Sequence, residues 1–227
     1  VLYTGQGEFH KAVKEGLDGL SQYEILLPEK LNDLFVFKEY KKLKTLLGDD
    51  PIQKITQLPK LENPETLALL KLLININDSS YFIDRTLNGY LMILATSIAV
   101  QNGNDFLSFM TYIFFGAYLC SIGEFELGFG IGEFGILNGL SQIKTKAVHL
   151  YYVFINHWRR HLQTGLLKLK DGFQAGIETG DLVFSNYIAS DYLRYQYCSG
   201  NYLPELKKDS EKFLQYSIKT NNKNYGK

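Results

Sequence analysis

The chain has 227 residues, 45% of them hydrophobic and 14% aromatic, which is enough to bury a sizeable core and excludes a disordered segment. Its 24 basic and 24 acidic residues balance, and only four of the basic ones are Arg, so the cationic footprint that phosphate-backbone binding requires is missing and no nucleic-acid partner is expected. Cys120 and Cys198 are too few for a disulfide framework and lack CxxC spacing, which fits a reducing, cytoplasmic setting.

The chain opens Val1-Leu2-Tyr3-Thr4-Gly5 with neither an initiator Met nor the charged and apolar regions of a signal peptide, and that start reads as a cut inside a longer protein. Helix-period patterning dominates from Phe9 onward. Phe9, Ala12, Val13, Gly16, Leu17 and Leu20 follow the i, i+3, i+4, i+7 stripe, as do Phe106, Phe109, Met110, Ile113, Phe114 and Ala117. No comparable stretch alternates like a strand. Helices are predicted at 8–24, 29–47, 64–77, 81–102, 105–122, 125–140, 142–160, 161–178, 182–198 and 203–219. Between 48 and 64, Pro51, Pro59 and Pro64 interrupt the pattern, so a connector with a short helical turn is predicted there. Residues 1–219 then form one helical-repeat domain, and the polar residues 220–227 a frayed tail. Thr86–Asn104 and Phe106–Gly123 run 19 and 18 residues without a charge. Their many polar side chains at helical spacing fit helices buried by neighbouring helices, and no membrane partner is expected.

Turns repeat as well. Gly7-Glu8-Phe9, Gly103-Asn104-Asp105-Phe106, Gly123-Glu124-Phe125, Gly180-Asp181-Leu182 and Gly200-Asn201-Tyr202 share a glycine, then polar, then apolar order. Glycine supplies the left-handed residue past a helix, the polar residue meets the orphan N–H groups of the next helix, and the apolar residue opens its buried stripe. Gly103 to Gly180 and Gly123 to Gly200 each span 77 residues, and Gly7 to Gly123 spans 116. These are close to two and three times a unit of about 38 to 39 residues, a helix pair, which predicts an all-α fold: an α-solenoid of tetratricopeptide-like pairs. Placing Phe9 on Phe125 puts Gly16 on Gly132 and Gly19 on Gly135, so small residues are expected where the two helices of a pair approach closely.

Motifs with known chemistry lack their contexts. Gly130-Ile131-Gly132-Glu133-Phe134-Gly135 fits G-x-G-x-x-G, but no strand precedes it and no kinase lysine, base or magnesium ligand comes after it. It reads as a helix with glycines on its close-packed face. His157 and His161 have the i, i+4 spacing of helical metal ligands without a third ligand, so neither a metal nor another cofactor is expected. No P-loop and no nucleophile elbow occur, which leaves catalysis without a carrier.

Asn156-His157-Trp158-Arg159-Arg160, followed by Gly172-Phe173-Gln174-Ala175-Gly176-Ile177-Glu178-Thr179-Gly180-Asp181-Leu182, resembles the helical-repeat region of the large multi-sensor signal transduction multi-kinases of cyanobacteria and other bacteria. Phe9–Leu17, Leu26-Leu27-Pro28, Tyr81-Phe82 and Gly123-Glu124-Phe125-Glu126 extend that resemblance along most of the chain. It implies a parent protein with a Ser/Thr-kinase-like domain, an AAA-type or STAND-type ATPase, this helical region, and then a GAF sensor and a histidine kinase of the two-component type. None of the family's catalytic motifs falls within these residues, so the implied role is a non-catalytic scaffold or sensor arm that couples signal or partner binding to the ATPase and kinase domains. Its concave surface, built from the first helix of each pair, is expected to receive a protein or peptide segment or a neighbouring domain through Tyr112, Tyr152, Asn156, Arg159, Tyr187, Asp191 and Arg194. The alternative is a small-molecule or signal-peptide receptor with a pocket between helices.

Overall fold

The structure, a computed structural model, describes residues 2–28, 30–139 and 144–220. Its elements are helices α1 (Leu2–Gly5), α2 (Phe9–Ser21), α3 (Asp33–Leu47), α4 (Pro51–Thr56), α5 (Pro64–Ser80), α6 (Arg85–Asn102), α7 (Phe106–Ser121), α8 (Phe125–Gly139), α9 (Lys144–Phe154), α10 (Gln163–Thr179), α11 (Leu182–Cys198) and α12 (Leu203–Lys219), with a 3-10 turn at Asn156–Trp158 between α9 and α10. The fold is all-helical. Among the described residues the only β feature is an isolated bridge between Lys60 and Asn104. None of these helices is long and apolar enough to cross a membrane.

The glycine turns form as their order predicts. Gly7, Gly103, Gly123, Gly180 and Gly200 all have positive φ, from 72° to 119°, the region that costs a side chain most and a glycine least. A polar residue of the turn caps the next helix in two of the five: Asp105 accepts from the Leu107 N–H at 2.8 Å and Asp181 from the Phe184 N–H at 3.2 Å. Glu124 instead accepts from the Tyr40 hydroxyl and the Lys44 ammonium, tying the start of α8 to α3.

From α5 onward the chain stacks as pairs, α5 with α6, α7 with α8, α9 with α10 and α11 with α12. The first helices α5, α7 and α11 begin at residues 64, 106 and 182, an interval of 42 and then 76 over two pairs, an average of 38. Those first helices also form a row, in which α2 packs on α5, α5 on α7, α7 on α9 and α9 on α11. The initial pair departs from the expected pattern. Its helix α2 rests chiefly on α5 and its helix α3 on α6, so each finds its apolar neighbour in the next repeat. The glycine register corrects accordingly: a Cβ on Gly16 would meet Ile76, and one on Gly19 would meet Leu72, both on α5 rather than on the pair partner α3.

Several boundaries also differ from the sequence reading. The short α1 has no counterpart in it, and α3 and α6 start later than expected because Asn32 and Asp84 cap them by accepting from Phe35 N–H and from Thr86 and Leu87 N–H. The expected helix 142–160 ends at Phe154, with 142 and 143 outside the described residues. There the buried Asn156 donates to Thr164 Oγ1 at 3.0 Å and turns the chain through the 3-10 segment. His157 and His161 therefore do not share a helix face. His157 Nδ1 lies 3.3 Å from the Tyr195 hydroxyl and His161 Nδ1 accepts from the Gln163 N–H, and the described residues contain no group of three or more His, Cys, Asp or Glu that could hold a metal. The expected tail lies, from residue 221, outside the described residues.

The connector is fastened to the core. Ile55 is fully buried, Leu61 N–H donates to Asn104 O (2.9 Å), Asn104 N–H donates to Pro59 O (2.7 Å), and the Asn104 side chain donates to Ile55 O (2.6 Å). The G-x-G-x-x-G segment lies inside α8; Gly132 and Gly135 of it, with Gly128 just before, seat that helix on α7, while Gly130 faces Ile52 of α4. A Cβ on Gly116 of α7 would sit 2.7 Å from Gly128 O and 2.9 Å from Gly132 Cα, and one on Gly135 would sit 2.6 Å from Phe109 O. Around Gly116 the nearest atoms are all backbone, so no flexible side chain can yield there.

Gly116→Ala is expected to destabilise the protein by about 1–3 kcal/mol through overpacking. Gly132→Ala should cost less, since its Cβ meets the movable Cδ1 of Ile155. Urea unfolding of both variants checks the order, and equal stabilities would refute the backbone contact.

Candidate functional site

The row of first helices carries a strip of aromatic rings that runs across the repeats. Tyr81 and Phe82 come directly after α5 and are each 49% exposed. They stand edge to face at 5.2 Å. Phe82 stacks on Phe9 of α2 at 4.5 Å and faces Tyr187 of α11 at 6.2 Å, while Tyr81 meets Phe154 of α9 edge-on at 6.0 Å. His149 of α9 closes the group, 5.6 to 5.8 Å from Phe154, Phe184 and Tyr187. Packed rings of this kind stay rigid while leaving an apolar face in contact with water, a good surface for a partner's side chains.

Beneath the rings lies a cluster of charge. Lys146 of α9 donates to Asp78 of α5 at 2.6 Å, and the two side chains are only 13% and 16% exposed. The Lys146 ammonium also lies 5.2 Å over the Phe114 ring and 5.3 Å over that of Phe184, cation–π contacts that offset part of its desolvation. Burial pushes the Asp78 carboxyl above the usual range while Lys146 pulls it back. Asp181, spent as the cap of α11, is likewise raised by burial. Further along the row, His149 Nε2 lies 2.9 Å from Asp191 Oδ2, and Asp191 Oδ1 accepts from the exposed Arg194 at 2.7 Å. Burial and the nearby Asp78 push the Tyr187 hydroxyl up to about 12. Each carboxylate thus has an internal partner, and the groups left facing outward are Tyr81, Phe82 and the Arg194 guanidinium, types that dominate binding energy at interfaces.

The seven residues expected from sequence divide between core and surface. Tyr187, Asp191 and Arg194 come together with His149. Tyr112 does not face a surface: it is fully buried in α7 and its hydroxyl donates to Asn104 Oδ1 at 2.8 Å. Asn156 is fully buried at the 3-10 turn, with its Oδ1 unpartnered. Tyr152 is half-buried, edge-on to Tyr151 at 5.0 Å, and its carbonyl accepts from the Tyr195 hydroxyl. Arg159 is exposed, paired with Glu126 and 5.8 Å over the Phe129 ring, apart from the Tyr187 group. Burial on a helix facing neighbours on several sides accounts for Tyr112, and burial within the 3-10 turn for Asn156, since polar tips alone do not tell a core residue from a surface one. Sequence reasoning misses Asp78, Lys146 and His149, and singles out Tyr81 and Phe82 only through the family resemblance. A signal exists for Asp78, which continues the buried stripe of Leu70 and Ile74 at intervals of four. A carboxylate on such a stripe needs a cation.

This geometry generates two expected outcomes. Lys146→Met should destabilise by roughly 3–5 kcal/mol by stranding the Asp78 carboxylate, and adding Asp78→Leu should restore part of the loss, as urea titrations of both variants would show. Asp181→Asn keeps the cap but removes a carboxyl whose folded-state pKa is raised. A raised carboxyl contributes stability that is complete below its unfolded pKa and is lost as pH rises through its folded value, so the stability of the parent minus that of Asp181→Asn should fall with rising pH in the acid range. Unfolding titrations from pH 3 to 7 check the sign.

No family model matches the chain, and no solved structure does. It is similar to the hybrid signal transduction histidine kinase G of Dictyostelium discoideum, at 22% identity over an alignment of 239 positions that covers 94% of the chain. The chain spans about 7% of the length of that curated relative. This distant similarity to a signalling histidine kinase, together with the all-helical stack, supports a signalling-related reading.

Proposed function

We propose that this chain is a non-catalytic helical-repeat scaffold or sensor module of a large signalling kinase, which couples the binding of a partner or signal to neighbouring ATPase and kinase domains. One observation carries the reading: the exposed Tyr81–Phe82 pair sits where α2, α5, α9 and α11 come together, over a charged cluster whose groups are paired internally. A rigid aromatic surface spanning several repeats suits an extended protein segment, which can lay successive side chains along the row. Such a surface also gives coupling a physical route, because a segment that bridges α5 and α11 favours one relative placement of the repeats over others. The distant similarity to a signalling histidine kinase supports this setting. The tetratricopeptide-like character of the repeats belongs to the same proposal, resting on the average interval of 38 residues and on the first-helix row.

Phage selection of random dodecapeptides on the protein tests the proposal. Selected peptides should bind Tyr81→Ala/Phe82→Ala about tenfold or more weakly, and Leu214→Ala on α12 with unchanged affinity. Peptides that bind the double variant as well as the parent would refute the assignment of the surface.

A further inference from the structure

A cleft lies between α3, the start of α6 and the end of α7, lined by residues other than those of the Tyr81–Phe82 strip. It has a volume of about 530 Å³, within the range of small-molecule sites. Its walls are aromatic. Tyr40 and Tyr118 meet edge to face at 6.1 Å, and Phe37 lies 6.1 Å from Tyr40. Gly89 makes the room: a Cβ there would come within 3.1 Å of the Tyr118 ring, so the absence of a side chain lets that ring lie against the α6 backbone.

The charges around this cleft are unequally committed. Asp33 accepts from the Thr86 hydroxyl at 2.8 Å. Glu124 accepts from Tyr40 and Lys44, at 3.1 and 3.2 Å. The two cations that line the cleft have no such partners. Among the described residues neither Arg85 nor Lys41 forms an ion pair with a carboxylate within 4 Å, and Lys41 rests instead over the Phe37 and Tyr40 rings at 5.0 and 5.9 Å. The acceptors are thus satisfied from within while a planar guanidinium stays available beside aromatic walls. Guanidinium binds carboxylate through a bidentate fork, and a flat ring packs on tyrosine and phenylalanine faces.

We propose that this cleft is a binding site for a small aromatic carboxylate, whose ring lies between Phe37 and Tyr118 over the buried Tyr40 and whose carboxylate is held by Arg85 with Lys41 nearby. Its lining shares no residue with the Tyr81–Phe82 surface, and the proposal does not depend on the reading of that surface. It ties α3 to α6 and α7, so occupancy would stiffen the first three repeats against one another.

Titration of the protein with 1-naphthoate, monitored by amide chemical shifts and calorimetry, tests the site, with 1-naphthamide as the neutral control. Saturable shifts should cluster at residues 33–41, 85–89 and 118–124. The amide should bind about fivefold or more weakly, and Arg85→Ala should reduce naphthoate affinity by a similar factor while leaving the amide unchanged. Phe37→Ala, at a residue 49% exposed and dispensable for the core, should weaken both. Equal affinities for acid and amide, an unchanged Arg85→Ala, shifts centred on Tyr81 and Phe82, or no saturation would each overturn the proposal.

Discussion

Everything in this fold leans on the meeting of α7 and α8. Glycines at 116, 128, 132 and 135 bring the two backbones closer than any pair of ordinary side chains allows, and α7 in turn touches α5, α6, α8 and α9. It is buried along most of its length, with Tyr112, Ile113 and Phe115 fully enclosed. A helix enclosed in this way has no polar face to orient it toward water. Shape must do that instead, and the small residues supply the shape. Cys120, whose Sγ a Cβ on Gly128 would meet at 2.8 Å, belongs to this contact, and burial pushes its thiol up to about 11, away from the reactive thiolate form.

From that centre the two ends of the stack differ. Toward the N-terminus the repeats interlock by crossing pairs, α2 on α5 and α3 on α6. Toward the C-terminus they keep the order of the chain. The aromatic strip spans both regions, since Phe9 belongs to the first and Tyr187 to the second, with Phe82 between them. Buried charge reinforces the junction: the Lys146–Asp78 pair joins α9 to α5, elements whose residues lie 68 apart in sequence.

What the sequence reveals depends on the range of the interactions. Turn glycines are read correctly because their left-handed conformation is local, as at Gly103 and Gly180. The 38-residue interval is legible because it repeats. The partner of α2 is not, because nothing in Phe9–Ser21 states whether its apolar stripe will meet α3 or α5. The end of α9 at Phe154 depends on a hydrogen bond from Asn156 to Thr164, two residues whose patterns read as separate, uninterrupted helices. The candidate site is half legible for a similar reason. Tyr187, Asp191 and Arg194 lie on one helix and share its spacing, whereas Asp78 and Lys146 matter only once the chain has folded them together. Tyr112 and Asn156 are indistinguishable by type from surface residues until their neighbours are placed.

The fastening of the connector has a mechanical consequence. Residues 48–63 could have served as a loose tether that lets the first repeat swing freely. Instead Pro59, Leu61 and Ile55 are bound to Asn104, whose side-chain oxygen is itself gripped by the Tyr112 hydroxyl in the centre of α7. A pull on α3 and α4 is therefore delivered to the turn between α6 and α7 rather than dissipated in slack chain. The inserted segment acts as a strut, and torque applied at one end of the stack arrives at its middle.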